Sequence, residues 1–464
     1  MKEYQRYAKD MLKFIENSPS CFHVIHNIGG DLKQDGYVEL KETEEWQLAP
    51  GGKYFVVRGD SSVIAFRLPE KRAVTGFHII ASHSDSPTFK IKEDPEMTVE
   101  GRYVKLNTEL YGGMILSTWM DRALSVAGRI AIAKRIAVEQ RIAVEQKTAK
   151  IQDVVVKKTD SVKNAQIMEE TEIMTKLVNV NKDLLVIPNL AIHMNRDVNK
   201  GMEYNPQTDT LPLFADCSEE KDGKTFLESV AKAAGVEPED ILGHDLFLYV
   251  RETGRMLGER GEFILSPRLD DLQCVYTSVK AFRESCPVDY INVCAVFDNE
   301  EVGSCTRQGA NSTFLEDALM RIGAGLHTDK SEYLRWIAGS FLISADNAHA
   351  VHPNHPEKAD PTNRPYLNGG LVIKYHGSQK YTTDGVSAAK MKSICMQAGV
   401  PFQTYANRSD IAGGSTLGNI SNSHVSVSSV DVGLPQLAMH SALETAGTKD
   451  VAYAVRAFQV FFGE

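Results

Sequence analysis

Residues 291–304 read INVCAVFDNEEVGS, and the two halves of this stretch differ in physical character. Ile291 to Phe297 is apolar apart from Asn292, the pattern of a strand covered on both faces in a parallel sheet. Asp298, Glu300 and Glu301 follow at once, ahead of the turn residue Gly303. In open α/β sheets ligands bind beyond the carboxyl ends of strands, so acids directly after a buried strand stand where chemistry is usually found. Taken alone, the cluster reads equally well as a solvated acidic loop.

The arrangement recurs. Residues 76–82 (GFHIIAS) form a second apolar run that ends in His83-Ser84-Asp85. Residues 339–345 (GSFLISA) form a third, followed by Asp346 with His349, His352 and His355 close behind. A shorter segment, 434–439, leads into His440, and residues 266–269 (SPRL) lead into Asp270-Asp271. Histidines and carboxylates at separated strand ends, with no cysteine among them, suit Zn²⁺ or a similar divalent ion in a catalytic rather than a structural site.

The ordered set His83-x-Asp85, Asp270, Glu300-Glu301, Asp346 and His440 resembles the co-catalytic two-metal exopeptidases. Longer strings narrow the likeness: YGGMILSTWMDRALS (111–125), IPNLAIHMNR (187–196), SPRLDDL (266–272), DNEEVGS (298–304), SADNAHAVHPNH (344–355) and PQLAMHSALE (435–444). Together they resemble the aspartyl aminopeptidase family, the two-zinc metalloaminopeptidases that include vacuolar aminopeptidase I. The resemblance implies two divalent ions per chain, Zn²⁺ first and Co²⁺ or Mn²⁺ as alternatives. It implies that Asp270 bridges them, that His83 and Asp346 complete one ion, and that Glu301 and His440 complete the other. Asp85 would hold the His83 tautomer; its plainer reading is an N-cap before Pro87. Adjacent carboxylates on a strand point to opposite faces, so Glu300 and Glu301 need different roles: Glu301 the ligand, Glu300 the general base. His193 is expected to reach a neighbouring subunit's active site, against the plainer reading of a satisfied strand histidine. His349, Lys374 and Tyr381 are expected to contact substrate, with His352 and His355 as loop residues. For Lys374 and Tyr381 an exposed strand end is nearly as good a reading.

Composition narrows the class. The 464 residues are 42% hydrophobic and 24% charged, ordinary for a soluble globular protein with room for two domains. Fifty-one basic against sixty-one acidic residues give a formal charge of −10, and no basic block invites a nucleic-acid partner. Seven cysteines form no C-x-x-C pair and read as reduced thiols of a cytoplasmic protein. The first twenty residues predict an amphipathic helix, with no signal peptide, and no apolar run has the roughly 20 residues needed to cross a bilayer.

The fold expected is α/β: a mixed-sheet α/β/α sandwich catalytic domain, residues 1–92 plus 259–464, interrupted at 93–258 by an inserted β-rich domain, with 111–113 as the turn before it. The resemblance gives that insertion the dimer contacts and implies assembly of dimers into a dodecamer. Helices are expected over 225–234, 268–285, 384–399 and 450–462, strands over 53–58, 62–68 and 370–375. Within the insertion RIAVEQ occurs twice in succession, at 135–140 and 141–146, before a charged tract that runs to about Lys176. Its alternation favours strand and its Ala, Glu, Gln and Lys favour helix, and neither wins. The Gly-rich stretch 413–418 lacks the Lys of a phosphate loop and reads as a tight turn near the active site. The function expected is removal of N-terminal residues, acidic by resemblance, from peptides. Another two-metal amide hydrolase (a dipeptidase or deacylase), a neutral-residue aminopeptidase and a non-catalytic self-assembling scaffold are the alternatives.

Overall fold

The computed structural model describes residues 2–70, 74–136, 170–216, 226–414 and 416–464. Its main sheet has nine strands, in spatial order Val38–Leu40, Lys53–Arg58, Ser62–Arg67, Tyr290–Phe297, Gly76–His83, Phe341–Ala345, Ser428–Gly433, Leu371–Tyr375 and Phe402–Ala406. The four strands from Tyr290–Phe297 to Ser428–Gly433 run parallel. Every residue of the Ile291 to Phe297 run is buried. Its second neighbour, Ser62–Arg67, is antiparallel to it, so the sheet around it is mixed. Covering both faces imposes the same unbroken apolar run whichever way the neighbour points.

Helices close both faces. Glu3–Asn17, Leu269–Glu284, Gly385–Gln397 and Thr448–Phe462 pack one core that contains Met11, Val275, Met391, Phe458 and Phe461; Phe314–Gly325 and Lys330–Gly339 pack the other with Phe314, Leu319 and Trp336. Each fully buried aromatic ring there contributes about 2–3 kcal/mol. Tyr7, Ala8, Met11 and Ile15 form the buried stripe of the first helix, which stops before Ser18-Pro19, as a proline demands. A second helix, Cys21–Gln34, follows directly; it is not among the helices expected from the sequence.

A second, antiparallel sheet has the order Glu170–Asn179, Leu124–Ile136, Ile241–Val250, Thr88–Val99, Tyr103–Tyr111 and Leu213–Asp216. Tyr111-Gly112-Gly113 closes a strand inside this sheet instead of preceding it. The strand Leu124–Ile136 leads into the duplicated tract and Glu170–Asn179 returns from it, with Ile136 opposite Glu170. Apart from Arg135 and Ile136 the RIAVEQ duplication lies outside the described residues. A third, five-stranded sheet joins Arg255–Leu257, Phe263–Ser266, Glu444–Gly447, Pro435–Leu437 and Ala348–His349. Among the described residues six cysteines are free, and no helix is long and apolar enough to cross a membrane.

Candidate metal centre

Strand register assembles the site. Phe297 lies opposite His83 and Ser344 opposite Ala81, so His83, Asp346 and the acids after Phe297 emerge at one level of the parallel strands. Asp270 is delivered from the start of Leu269–Glu284, where Arg268 is left-handed (φ 55°) and Asp270 itself has non-helical angles. His440 follows the short strand Pro435–Leu437 and is also left-handed, with φ 67°. Two glycines let segments close in. A Cβ on Gly433 would lie 2.1 Å from the Asp346 carbonyl oxygen, and one on Gly112, whose φ is +77°, would lie 3.0 Å from the Glu301 Cβ.

The Asp270 carboxylate stands between two histidines. His83 Nε2 is 3.7 Å from Oδ1 and His440 Nε2 is 3.5 Å from Oδ2. His440 Nε2 is also 3.4 Å from Glu301 Oε2, while His440 Nδ1 faces the Gly113 carbonyl at 2.6 Å. Potential ligand atoms lie within 4.8 Å of one another in three overlapping groups: His83, Asp270, Asp271 and Asp346; His83, Glu300 and Glu301; Asp270, Glu301 and His440. Asp271 is a member that sequence reasoning left without a role. It is fully buried, and its Oδ2 accepts from the His83 N–H at 3.2 Å.

Asp85 does not cap Pro87. Its Oδ1 lies 3.4 Å from His83 Nδ1, and its two oxygens accept from the backbone N–H groups of Glu300 and Glu301, both at 3.2 Å. Tyr111 donates to Asp85 Oδ2 at 2.8 Å and receives Asn299 Nδ2 at 2.8 Å. Tyr111 and Asn299 therefore belong to the site's frame, and only their place in the family-like strings could have flagged them. Glu300 and Glu301 lie in a 3-10 turn after the left-handed Asn299, not on a strand, so the opposite-face argument does not apply to them. What separates them is position: Glu300 lines the cleft and Glu301 does not.

The donor set suits a cation. Asp270 Oδ1, Asp271 Oδ1 and Glu301 Oε1 are buried without a hydrogen-bond donor among the described residues, a costly state for a carboxylate oxygen. Burial pushes Glu300 up to about 7, and Asp346, Asp85 and Asp270 add to the rise while His83 opposes it. Burial likewise drives Glu301 well above the usual carboxylate range, with Asp270 next in effect. His440 is raised to about 9, its burial outweighed by the Asp270 carboxylate. Divalent cations reverse this logic, holding the carboxylates ionised and the imidazoles neutral.

Beside the cluster opens a cleft of about 220 Å³, lined by His83, Asp270, Glu300, Asp346, His349, Lys374, Tyr381 and others. The structure thus brings His349, Lys374 and Tyr381 to the cluster. Lys374 is no exposed strand end. It is 2% exposed, and its Nζ donates to the Asp346 carbonyl at 2.8 Å and lies 3.6 Å from Asp346 Oδ2. Gly414 and Thr416, from the Gly-rich stretch, also line the cleft. His352 and His355 are exposed in the loop alongside. His193 lies in an exposed turn, not a strand, and is not among the residues gathered here.

The sequence profile described as "Aminopeptidase I zinc metalloprotease (M18)" matches residues 14–157 and 152–462. The probable M18 family aminopeptidase 2 of Clostridium acetobutylicum is 44% identical over 464 residues, covering all of both chains. The solved structure of the Ape4 and Nbr1 complex has a chain 33% identical, with a TM-score of 0.87 over 99% of this chain and 86% of that one. The mApe1 dodecamer of S. cerevisiae is 27% identical, with a TM-score of 0.78 over 99% of this chain and 97% of that one. Matched along almost its whole length, the chain belongs to the M18 family of zinc aminopeptidases and is a metalloaminopeptidase.

Proposed function

We propose that the protein removes N-terminal residues, acidic ones by preference, from peptides, with two divalent ions and Glu300 as general base. The observation that carries this is the Asp270 carboxylate, whose two oxygens face different histidines at 3.7 and 3.5 Å. His83, Asp270 and Asp346 would hold one ion; Asp270, Glu301 and His440 the other. When bound, zinc polarises the scissile carbonyl and makes water more acidic. Glu300, on the cleft wall, accepts the proton of the attacking water and passes it to the leaving amine. Asp85 keeps both elements in place, since it faces His83 Nδ1 and receives the backbone of the Glu300-Glu301 turn.

Acid preference rests on Lys374, whose ammonium lies in the cleft wall beside Tyr381. Lys374→Met should lower the ratio of turnover on Asp- and Glu-initiated peptides to turnover on Leu-initiated ones; an unchanged ratio eliminates Lys374 as its source. The overall test is mass spectrometry of a peptide panel with the zinc-loaded protein, with and without chelator. Loss of single N-terminal residues, stopped by chelator and restored by zinc, is expected, together with two ions per chain by elemental analysis. One ion at saturation, or a preference for Leu over Asp, overturns the corresponding part.

We also assign residues 1–92 and 259–464 to the catalytic domain and 93–258 to an inserted domain that makes dimer contacts within a dodecamer. The mApe1 relative is a dodecamer, and around His193 the side chains of Leu190, Ile192 and Met194 are 54%, 48% and 76% exposed. Such a group of exposed apolar side chains marks an interaction surface.

A further inference from the structure

Beside the cluster, three buried side chains, of which Asn347 also borders the cleft, form one chain of hydrogen bonds. Glu444 is 2% exposed. Its Oε2 accepts from the backbone N–H of Asp270 at 3.0 Å and its Oε1 from the backbone N–H of His440 at 2.7 Å. Gln436 Nε2 approaches Glu444 Oε1 at 3.5 Å, and Gln436 Oε1 accepts from Asn347 Nδ2 at 3.0 Å. Asn347, next in sequence to Asp346, also donates to the Leu269 carbonyl at 2.7 Å. The three segments that carry Asp346, Asp270 and His440 are therefore tied together by Asn347, Gln436 and Glu444.

We propose that these three are positioning residues that set the distance between the two halves of the metal centre, an inference that rests on the ligand assignment above. Both segments held by Glu444 are in unfavourable backbone states. Arg268 (φ 55°), Ala438 (φ 56°) and His440 (φ 67°) are all left-handed without being glycine. Such residues persist where the surrounding structure over-determines them, and Glu444 binds His440 itself and the residue two beyond Arg268. The chemistry of the residue points the same way. A carboxylate accepts at both oxygens and presents no donor, whereas a glutamine in its place must turn an N–H₂ toward one of the two N–H groups. By accepting from both backbones, Glu444 fixes Asp270, assigned to both ions, and His440, assigned to one of them. Neither Glu444 nor Gln436 lines the cleft that holds Glu300 and Lys374; Glu444 borders a neighbouring cavity with Asp85, Asp270 and His440.

The competing account is that Glu444 and Gln436 merely hold the adjacent strands Pro435–Leu437 and Glu444–Gly447 together. Zinc affinity separates the two. Full-length protein is stripped of metal, titrated with zinc against a fluorescent chelator, and melted in its zinc-free and zinc-loaded forms. Glu444→Gln and Gln436→Met should each weaken zinc binding by about 10–100-fold, the usual effect of removing a ligand's hydrogen-bond partner. The zinc-free melting temperature should stay close to wild type, so that the gain on zinc loading shrinks. Zinc affinity within about threefold of wild type, or equal falls in both melting temperatures, overturns the proposal in favour of strand cohesion. If Glu444→Gln does not fold, Gln436→Met decides alone. Asp270→Asn is run beside them: wild-type zinc affinity in that variant shows the ligand assignment itself to be wrong, and the positioning role falls with it. Weakened binding in Asp270→Asn with none in the other two rejects the positioning role only.

Discussion

Glu300→Gln is expected to keep a full complement of zinc and to lose about 10²–10⁴-fold in kcat, a barrier increase of about 3–5 kcal/mol. The amide preserves the size of the side chain and removes its ability to accept a proton. Glu300 sits on the cleft wall, and its backbone N–H is bound by Asp85 Oδ1, so the variant should hold its position. Glu301→Gln should behave differently. Glu301 is only 4% exposed at its side chain and its Oε2 lies 3.4 Å from His440 Nε2, so loss of its charge weakens the His440 side of the centre. Elemental analysis should then find less zinc, and added zinc should restore part of the rate. Near-normal kcat in Glu300→Gln, or the same zinc loss in both variants, overturns the division of roles.

Tyr290–Phe297, Gly76–His83 and Phe341–Ala345 were legible because each is largely an apolar run, and the candidate ligands because they follow such runs; Ser428–Gly433, buried but carrying Asp431, left no such run to read. His83, Asp346 and the acids after Phe297 needed only strand register to meet. Strand direction was not legible, since Ile291 to Phe297 would look the same beside a parallel or an antiparallel neighbour. The helix Cys21–Gln34 was hidden by Gly29-Gly30 in its interior, which usually weakens a helix. There a Cβ on Gly29 would meet the Phe55 ring at 3.6 Å, so a small residue suits close packing, and tertiary contacts with Phe22, Ile25 and Ile28 in the core sustain the helix.

The residues that frame the cluster were the least legible part. Asp271 adjoins a ligand in sequence, yet nothing there says that its carboxylate receives the His83 backbone. Tyr111 is far from Asp85 in chemistry that a pattern can show, and only the fold sets its hydroxyl 2.8 Å from that carboxylate. Lys374 read nearly as well as an exposed strand end as it did as a substrate contact, because a lysine after Leu371-Val372-Ile373 normally reaches solvent. The Asp346 carbonyl and carboxylate supply the partners that allow its ammonium to be buried. Long-range polar pairing of this kind leaves no periodic trace.

Activity should also depend on assembly, because His193 stands in an exposed turn outside the cluster of its own chain and is assigned a role in a partner's cleft. His193→Ala is then defective only in what it donates, and Glu300→Gln only in what it receives. Each variant alone should be nearly inactive. Mixed under conditions that allow subunit exchange, they should recover activity at about one site in four, since half the dimers become mixed and each mixed dimer has one complete site of two. The apolar side chains of Leu190, Ile192 and Met194 beside His193 give a reason for this turn to be covered in the assembled protein. Native mass spectrometry monitors the exchange. Confirmed exchange with no regain of activity, or full activity in an isolated monomer, rules out a donated histidine and places the whole of the chemistry within one chain.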